Sequence, residues 1–257
     1  MSILNTRKIR KSKLKNESRP LQMLTCYDYQ TACLLNETDL DLILVGDSLG
    51  NVILGYENTV QVTLNDMITF ASAVKRGAKD KFVIADLPFG TYATMESAVE
   101  NSIELFQKSN VEALKLEGAT ELHTSIIKRL TETGIPVMGH IGLTPQSVHQ
   151  LGGYYTHGKK EEDIDRLILS AKNLQVAGAF AIVLECVDKE TSAKITELLD
   201  IPTIGIGSGK EVDGQVLVIN DLLKLGPTMP PSFCKPIANL YDEKKKLIES
   251  YLTNNHE

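Results

Sequence analysis

Short apolar runs recur along the chain at Met23–Leu24, Leu42–Val45, Phe82–Ala85, Ala113–Leu116, Val137–Met138, Ala181–Leu184, Thr203–Ile206 and Val216–Ile219. Several are nearly continuous rather than alternating, which is the pattern of parallel strands buried on both faces. Stripes at helical spacing lie between them. Met95, Ala98, Val99, Ile103 and Phe106 predict one helix, and Leu122, Ile126 and Leu130 a second, stopped by Gly134 and Ile135-Pro136. Ile164, Leu167, Ile168, Ala171 and Leu174 predict a third, ending before Gly178.

Eight strand candidates alternating with helices predict an α/β fold, a single (β/α)8 TIM barrel over residues 1–257. A helix within 1–20 precedes the first strand, which begins near Leu21. A helical tail over 227–257 follows Leu225, with Glu243–Leu252 as its terminal helix. Two features count against a regular barrel. The gap between the seventh and eighth runs is too short for a full helix, and Asn51 to Thr63 reads as an inserted loop. A doubly wound sheet is the competing architecture. No repeat and no Gly/Ser/Pro-rich linker divides the chain.

Charge narrows the partners. The chain has 27 Lys/Arg against 33 Asp/Glu, a net −6, yet residues 1–20 alone carry seven basic residues and one acid. The rest is therefore strongly acidic and would repel a phosphate backbone, which excludes nucleic acid as a partner. The basic start (Arg7, Lys8, Arg10, Lys11, Lys13, Lys15) is read as a solvated first helix anchored by Ile9 and Leu14, in preference to a targeting peptide. The longest strong apolar run, Ala179–Leu184, is far short of the roughly 20 residues that a membrane span needs. Cys26, Cys33, Cys186 and Cys234 contain no CxxC pair and read as small buried hydrophobes, so a reducing, cytoplasmic setting is expected.

The candidate chemistry follows the strands. Asp47-Ser48 follows the second run, Asp86 the third, Lys115 and Glu117 close the fourth, and Glu185 closes the sixth. In a parallel barrel those carboxyl ends share one face. Lys115 and Glu117 are two apart and point to the same side of their strand. Each acid alone has a duller reading as a helix N-cap or turn residue. Taken together, clustered carboxylates repel one another and lose hydration, so something positive belongs among them.

Asp47, Asp86 and Glu117 offer only hard oxygen donors, which suit Mg²⁺ or Mn²⁺ better than Zn²⁺. A metal-free salt-bridge cluster around Lys115 is the alternative. His140, in Gly139-His140-Ile141-Gly142-Leu143-Thr144-Pro145, is a candidate pocket donor and equally a structural histidine. Gly205-Ile206-Gly207-Ser208-Gly209 looks like an anion cradle, with Ser208 a possible pocket residue, or else a plain turn. His123, His149 and His157 read as ordinary surface or helix residues, Tyr27 as a core or pocket-wall residue, and Lys244–Lys246 as a solvated face.

At these residues the chain resembles the ketopantoate hydroxymethyltransferases. The resemblance is carried by Met23-Leu24-Thr25-Cys26-Tyr27-Asp28, Val45-Gly46-Asp47-Ser48-Leu49-Gly50, Ala85-Asp86-Leu87-Pro88-Phe89-Gly90 and Lys115-Leu116-Glu117-Gly118. It continues through Gly139–Gln146, Leu184-Glu185-Cys186, Ile201–Gly207 and Asp213–Val218. It implies a barrel of the phosphoenolpyruvate mutase/isocitrate lyase type and a homo-oligomer, often a decamer. It also implies transfer of a one-carbon unit from 5,10-methylenetetrahydrofolate to 3-methyl-2-oxobutanoate, giving 2-dehydropantoate. By the same resemblance Asp47 and Asp86 are Mg²⁺ ligands, with Glu117 a third. Asp47, Ser48, Asp86 and Lys115 contact substrate, and Glu185 is the general base. Three segments depart from the family pattern: Ser208, Asn36-Glu37-Thr38-Asp39 and Cys234-Lys235-Pro236.

The chemistry asks for such residues. A carbon beside a ketone must lose a proton before it can attack, and a metal at the keto oxygen would hold the developing enolate charge. A metal-dependent carbon–carbon lyase acting without folate would use the same set, and a non-catalytic barrel is the third reading.

Overall fold

The computed structural model describes residues 4–13 and 19–254. Eight parallel strands close into a barrel in chain order: β1 (Leu21–Thr25), β2 (Leu42–Val45), β3 (Phe82–Asp86), β4 (Ala113–Glu117), β5 (Val137–Gly142), β6 (Ala181–Glu185), β7 (Thr203–Ile206) and β8 (Gly214–Leu217). The helices among the described residues are α1 (Thr6–Lys11), α2 (Tyr29–Asn36), α3 (Leu49–Val52), α4 (Leu64–Gly77), α5 (Met95–Ser109) and α6 (Glu121–Glu132), followed by α7 (Val148–Leu151), α8 (Glu161–Val176), α9 (Lys189–Leu198), α10 (Ile219–Leu222) and α11 (Leu240–Asn254). The doubly wound alternative is thereby excluded. As the spacing required, no helix intervenes between β7 and β8, and the 51–63 segment holds only the end of α3 and a short 3-10 turn at Thr59–Gln61.

The barrel interior follows from strand alternation. Leu21 and Met23, Leu42 and Leu44, Phe82 and Ile84, Ala113, Met138, Ala181 and Val183, Ile204 and Ile206, and Val216 form one buried apolar cluster. These are every second residue, so they share one side of each strand and fill the barrel. Ile9 of α1 joins the same cluster, fully buried. Arg7, Arg10 and Lys11 stay exposed, so the first helix is solvated along its basic residues and anchored by Ile9, as expected. Lys13, just past it, reaches Asp213 Oδ2 at 3.0 Å, ahead of β8. Leu14 and Lys15, counted with that helix, lie outside the described residues.

Loops after the strands are tied to helix starts by side chains. Thr63, Thr94 and Thr120 each accept from a backbone N–H three residues on, closing capping boxes at α4, α5 and α6. Asp28 and Asp188 cap α2 and α9 the same way. The buried face of α5 is Ala98, Ser102, Leu105 and Ser109, with Ile103 exposed. The stripe read from its larger apolar residues is therefore rotated, because small residues let this helix approach its neighbours closely. β8 begins two residues before its apolar run, since Gly214 and Gln215 carry no hydrophobic signal.

The chain forms two compact units, residues 1–216 and 217–257. Within the second, Leu222 O accepts from Ile237 N at 2.9 Å and Lys224 O from Tyr241 N at 2.9 Å. Its helix α11 leaves Tyr241, Leu247, Ile248, Tyr251 and Leu252 exposed, and Lys244–Lys246 are solvated as expected. No helix among the described residues is long and apolar enough to cross a membrane. All four cysteines are free; Cys26 and Cys234 are buried, whereas Cys33 and Cys186 are half-buried.

Candidate active site

The alternation that packs the barrel with apolar residues also builds the site. Continuing each inward row toward the carboxyl end gives Asp86 after Phe82 and Ile84, Lys115 and Glu117 after Ala113, His140 after Met138, and Glu185 after Val183. The inward side of the barrel changes from apolar to polar within one or two residues on four strands. Asp86, Lys115, Glu117 and His140 are all buried, and Glu185 is half-buried. Gly46 occupies the equivalent place after Leu44. A Cβ there would stand 2.9 Å from Ser48 Oγ and 3.6 Å from Asp86 Oδ2, so glycine leaves room for both.

The charged groups touch. Lys115 Nζ lies 3.0 Å from Asp86 Oδ1 and 3.7 Å from Glu117 Oε1. His140 Nδ1 is 3.3 Å from Lys115 Nζ and 3.4 Å from Glu117 Oε1, while its Nε2 faces Glu185 Oε2 at 3.4 Å. Asp47, in the turn after β2, donates its backbone N–H to Asp86 Oδ2 at 3.1 Å and is itself buried. Ser48 Oγ is 2.8 Å from the Tyr27 hydroxyl, so Tyr27 packs beneath the site and aligns that serine. Six sequence-expected residues from five strand ends therefore gather at one place, with Ser48 beside them.

The electrostatics of the set are lopsided. Burial pushes the Asp47 carboxyl well above its usual range, and the neighbouring Glu117 and Asp86 charges add to the push. Burial raises Asp86 as well, against the opposing pull of Lys115. For Glu117 burial acts upward, but His140, Lys115 and the Gln146 N–H outweigh it and leave the group below its ordinary value. Burial alone would lower the Lys115 ammonium, yet Asp86, Glu117 and Asp47 reverse the sign and hold it charged. Glu185 is pushed up to about 7, chiefly by burial, with His140 opposing.

Three buried carboxylates thus face one ammonium. Asp86 Oδ1 makes no hydrogen bond and has only the Lys115 ion pair. Among the described residues no three His, Cys, Asp or Glu side chains converge as a ready-made metal cage, and the Glu117 oxygens are turned to Lys115, His140 and the Gln146 N–H. Mg²⁺ commonly takes only one or two protein carboxylates and completes its shell with water and substrate oxygens. The excess negative charge and the all-oxygen donors of Asp47 and Asp86 fit such an ion.

Comparison with known proteins decides the family. The family model described as ketopantoate hydroxymethyltransferase matches residues 4–257. The chain belongs to this family. The 3-methyl-2-oxobutanoate hydroxymethyltransferase of Thermotoga maritima is 49% identical over 249 residues, covering 96% of this chain and 90% of that protein. The enzyme of the same name from Bacillus cereus (strain B4264) is 48% identical over 242 residues, covering 94% and 87%. Among solved structures, 2,3-dimethylmalate lyase, a PEP mutase/isocitrate lyase superfamily member, aligns with a TM-score of 0.63 at 15% identity, covering 99% of this chain and 87% of that one. Phosphonopyruvate hydrolase in complex with oxalate and Mg²⁺ aligns at 0.62 with 9% identity, covering 98% and 99%. The ketopantoate hydroxymethyltransferase barrel therefore has the fold of that superfamily.

Other residues depart from expectation. Ser208, offered as a pocket residue, is buried and fully used inside the chain, donating to Leu184 O at 2.7 Å and accepting from Val187 N at 3.0 Å. The adjoining glycines serve the turn: a Cβ on Gly209, at φ +80°, would meet Lys189 Cβ at 2.7 Å. His157 is not a surface residue. It is 2% exposed and forms a parallel bridge with Val187, its N–H donating to Cys186 O at 2.8 Å. His123 accepts from Thr120 N at 3.2 Å at the start of α6, and His149 is exposed beside Asn58.

Two site residues escaped the sequence reading. Gln146 is buried and bonds to Asp47, Leu87, Glu117 and Tyr92; Tyr92 is buried with it. The available signal was position alone. Pro145-Gln146 directly follows the Gly139–Thr144 segment at the carboxyl end of β5, where any polar residue faces the mouth of the barrel.

Proposed function

We propose that the chain transfers a hydroxymethyl group to 3-methyl-2-oxobutanoate to form 2-dehydropantoate, with 5,10-methylenetetrahydrofolate as the one-carbon donor and Mg²⁺ as cofactor. The observation that carries this reading is the meeting of a near-neutral base, Glu185, with the Asp86–Lys115–Glu117 cluster at the mouth of a family-matched barrel. Phosphonopyruvate hydrolase, a protein of the same fold, forms a complex with oxalate and Mg²⁺, which supports an oxyacid and a hard cation as occupants here.

Each residue has a role suited to its surroundings. Glu185 takes the proton from the substrate's third carbon. A base whose carboxyl titrates at about 7 is ionised in useful amount at neutral pH yet basic enough to accept that proton, and such bases contribute about 10²–10⁴ in rate. His140 Nε2, which makes no hydrogen bond among the described residues, lies beside it, 3.4 Å from Glu185 Oε2. Lys115, held protonated by its acidic neighbours, supplies fixed positive charge for the substrate's oxygens in a setting that excludes most water. Ser48, aligned by Tyr27, offers a hydroxyl beside it. Asp47 and Asp86 would hold the Mg²⁺, with Glu117 acting through water. When bound, the cation supplies Lewis-acid stabilisation of charge on the keto oxygen.

Free cysteines suit a reducing, cytoplasmic setting, and the exposed apolar residues of α11 favour a homo-oligomer, a decamer being the size the resemblance implies. The test is formation of 2-dehydropantoate from 3-methyl-2-oxobutanoate, omitting Mg²⁺ and methylenetetrahydrofolate in turn. Loss of product in each omission supports the reading. Carbon–carbon cleavage of a 2-oxo acid without folate replaces it with a lyase.

A further inference from the structure

We infer that Gln146, locked by Tyr92, is the positioning residue that sets the Asp47 carboxylate for the divalent cation. The inference rests on the proposed role of Asp47 as a metal ligand.

The geometry is a saturated glutamine at the junction of four loops. Its Nε2 donates to Asp47 Oδ2 at 2.8 Å and to Leu87 O at 2.9 Å. Its Oε1 accepts from the Tyr92 hydroxyl at 2.5 Å, and its backbone N–H donates to Glu117 Oε2 at 3.2 Å. One residue after β5 therefore grips an acid after β2, the backbone after β3 and an acid at the end of β4. Both amide hydrogens meet acceptors and the amide oxygen meets a donor, so rotating the amide by half a turn would aim its oxygen at the Asp47 carboxylate and the Leu87 carbonyl, two groups that cannot donate.

Tyr92 is held in turn. Its ring stands edge-on to His123 at 5.8 Å, and His123 is fixed by Thr120 at the start of α6. The chain of contacts runs from a helix cap through an aromatic hydroxyl and an amide to Asp47. Among the described residues Asp47 makes no ion pair: Lys115 acts on it only through space, and the salt bridges of the site involve Asp86, Glu117 or Glu185. Gln146 is its side-chain hydrogen-bond donor. Partners of this kind, which orient a ligating carboxylate, typically change metal affinity about 10–100-fold when removed.

The experiment is direct titration of Mn²⁺ into the metal-free full-length protein, with free ion read by electron paramagnetic resonance and no substrate present. Wild type, Gln146→Met and Tyr92→Phe are compared, and thermal midpoints without metal are recorded alongside. Gln146→Met keeps the unbranched shape and removes the amide. The expected result is a dissociation constant raised about 10–100-fold in Gln146→Met, and raised toward the low end of that range in Tyr92→Phe. A lowered midpoint with wild-type Mn²⁺ affinity overturns the inference, since Gln146 then only packs the loops. If Gln146→Met does not fold, Tyr92→Phe decides, and unchanged affinity there overturns it. A wild-type protein that binds no Mn²⁺ overturns the metal role of Asp47 itself, and the inference falls with it.

Discussion

Asp86 and Lys115 are register partners on β3 and β4, and their charged ends meet at 3.0 Å where the barrel interior turns from apolar to polar. Pairing by register means the contact needs no loop to find it. Both side chains are almost fully withdrawn from water, so neither charge is tolerable alone.

Lys115→Met tests that dependence. It leaves Asp47, Asp86 and Glu117 without their ammonium, and breaking a buried pair of this kind costs about 3–5 kcal/mol. We predict a fall of that size in unfolding free energy measured by denaturant titration without divalent cation, with partial recovery on adding Mg²⁺. Full stability without metal would contradict the charge assignment.

Glu185 predicts a pH signature. Its carboxyl is raised from 4.5 to about 7 in the folded protein, so between those values the native state holds more proton than the unfolded chain. Stability from this group is therefore present below about pH 4.5 and is lost as pH rises through about 7. Denaturant midpoints of wild type and Glu185→Gln across this window should converge toward the acid end, with wild type losing ground as pH rises. A constant difference would contradict the raised carboxyl.

Gly142 guards the same residue from behind. It pairs with Glu185 in register, at φ +96°, and a Cβ there would lie 2.2 Å from Glu185 O. Gly142→Ala must both strain the backbone, at about 1–3 kcal/mol, and push the β6 end away. The expected outcome is a lower thermal midpoint together with a disproportionate loss of kcat. Wild-type kcat in a folded Gly142→Ala protein would show that the position of Glu185 is not critical.

At the opposite end of the barrel, Lys13 Nζ donates to Asp213 Oδ2 at 3.0 Å and to Ile201 O at 3.3 Å, and Asp213 is buried. Hydrogen bonds to charged groups contribute about 1.5–3 kcal/mol, so Lys13→Ala should lower unfolding free energy by that amount. Because Lys13 is remote from the carboxyl-end cluster, kcat/KM of the folded variant should be unchanged, which a steady-state assay checks.

Much of this was legible in the chain because parallel strands announce themselves as continuous apolar runs. The acids after β2, β3 and β6 and the Lys115/Glu117 pair were found because they interrupt or end those runs. What stayed hidden carried no such contrast. β8 starts on Gly214 and Gln215, α5 buries Ala98, Ser102 and Ser109, and both elements were consequently displaced or rotated. Ile9 looked like an isolated anchor until the barrel showed a floor for it to fill. Tyr92 and His157 lie in loops and Gln146 in a short 3-10 turn, Pro145–Ser147, where burial is decided by contacts distant in sequence. Of the three, His157 reads as a surface or helix residue from sequence, and Gln146 and Tyr92 carry no signal of burial there.

The most direct test of the account is exchange of the hydrogen on the third carbon of 3-methyl-2-oxobutanoate with D₂O, followed by proton NMR with Mg²⁺ present and no folate. Wild type should exchange that hydrogen, and Glu185→Gln should not, while still binding the oxoacid. Exchange at the wild-type rate in Glu185→Gln would contradict the assignment of the base and, with it, the proposed chemistry.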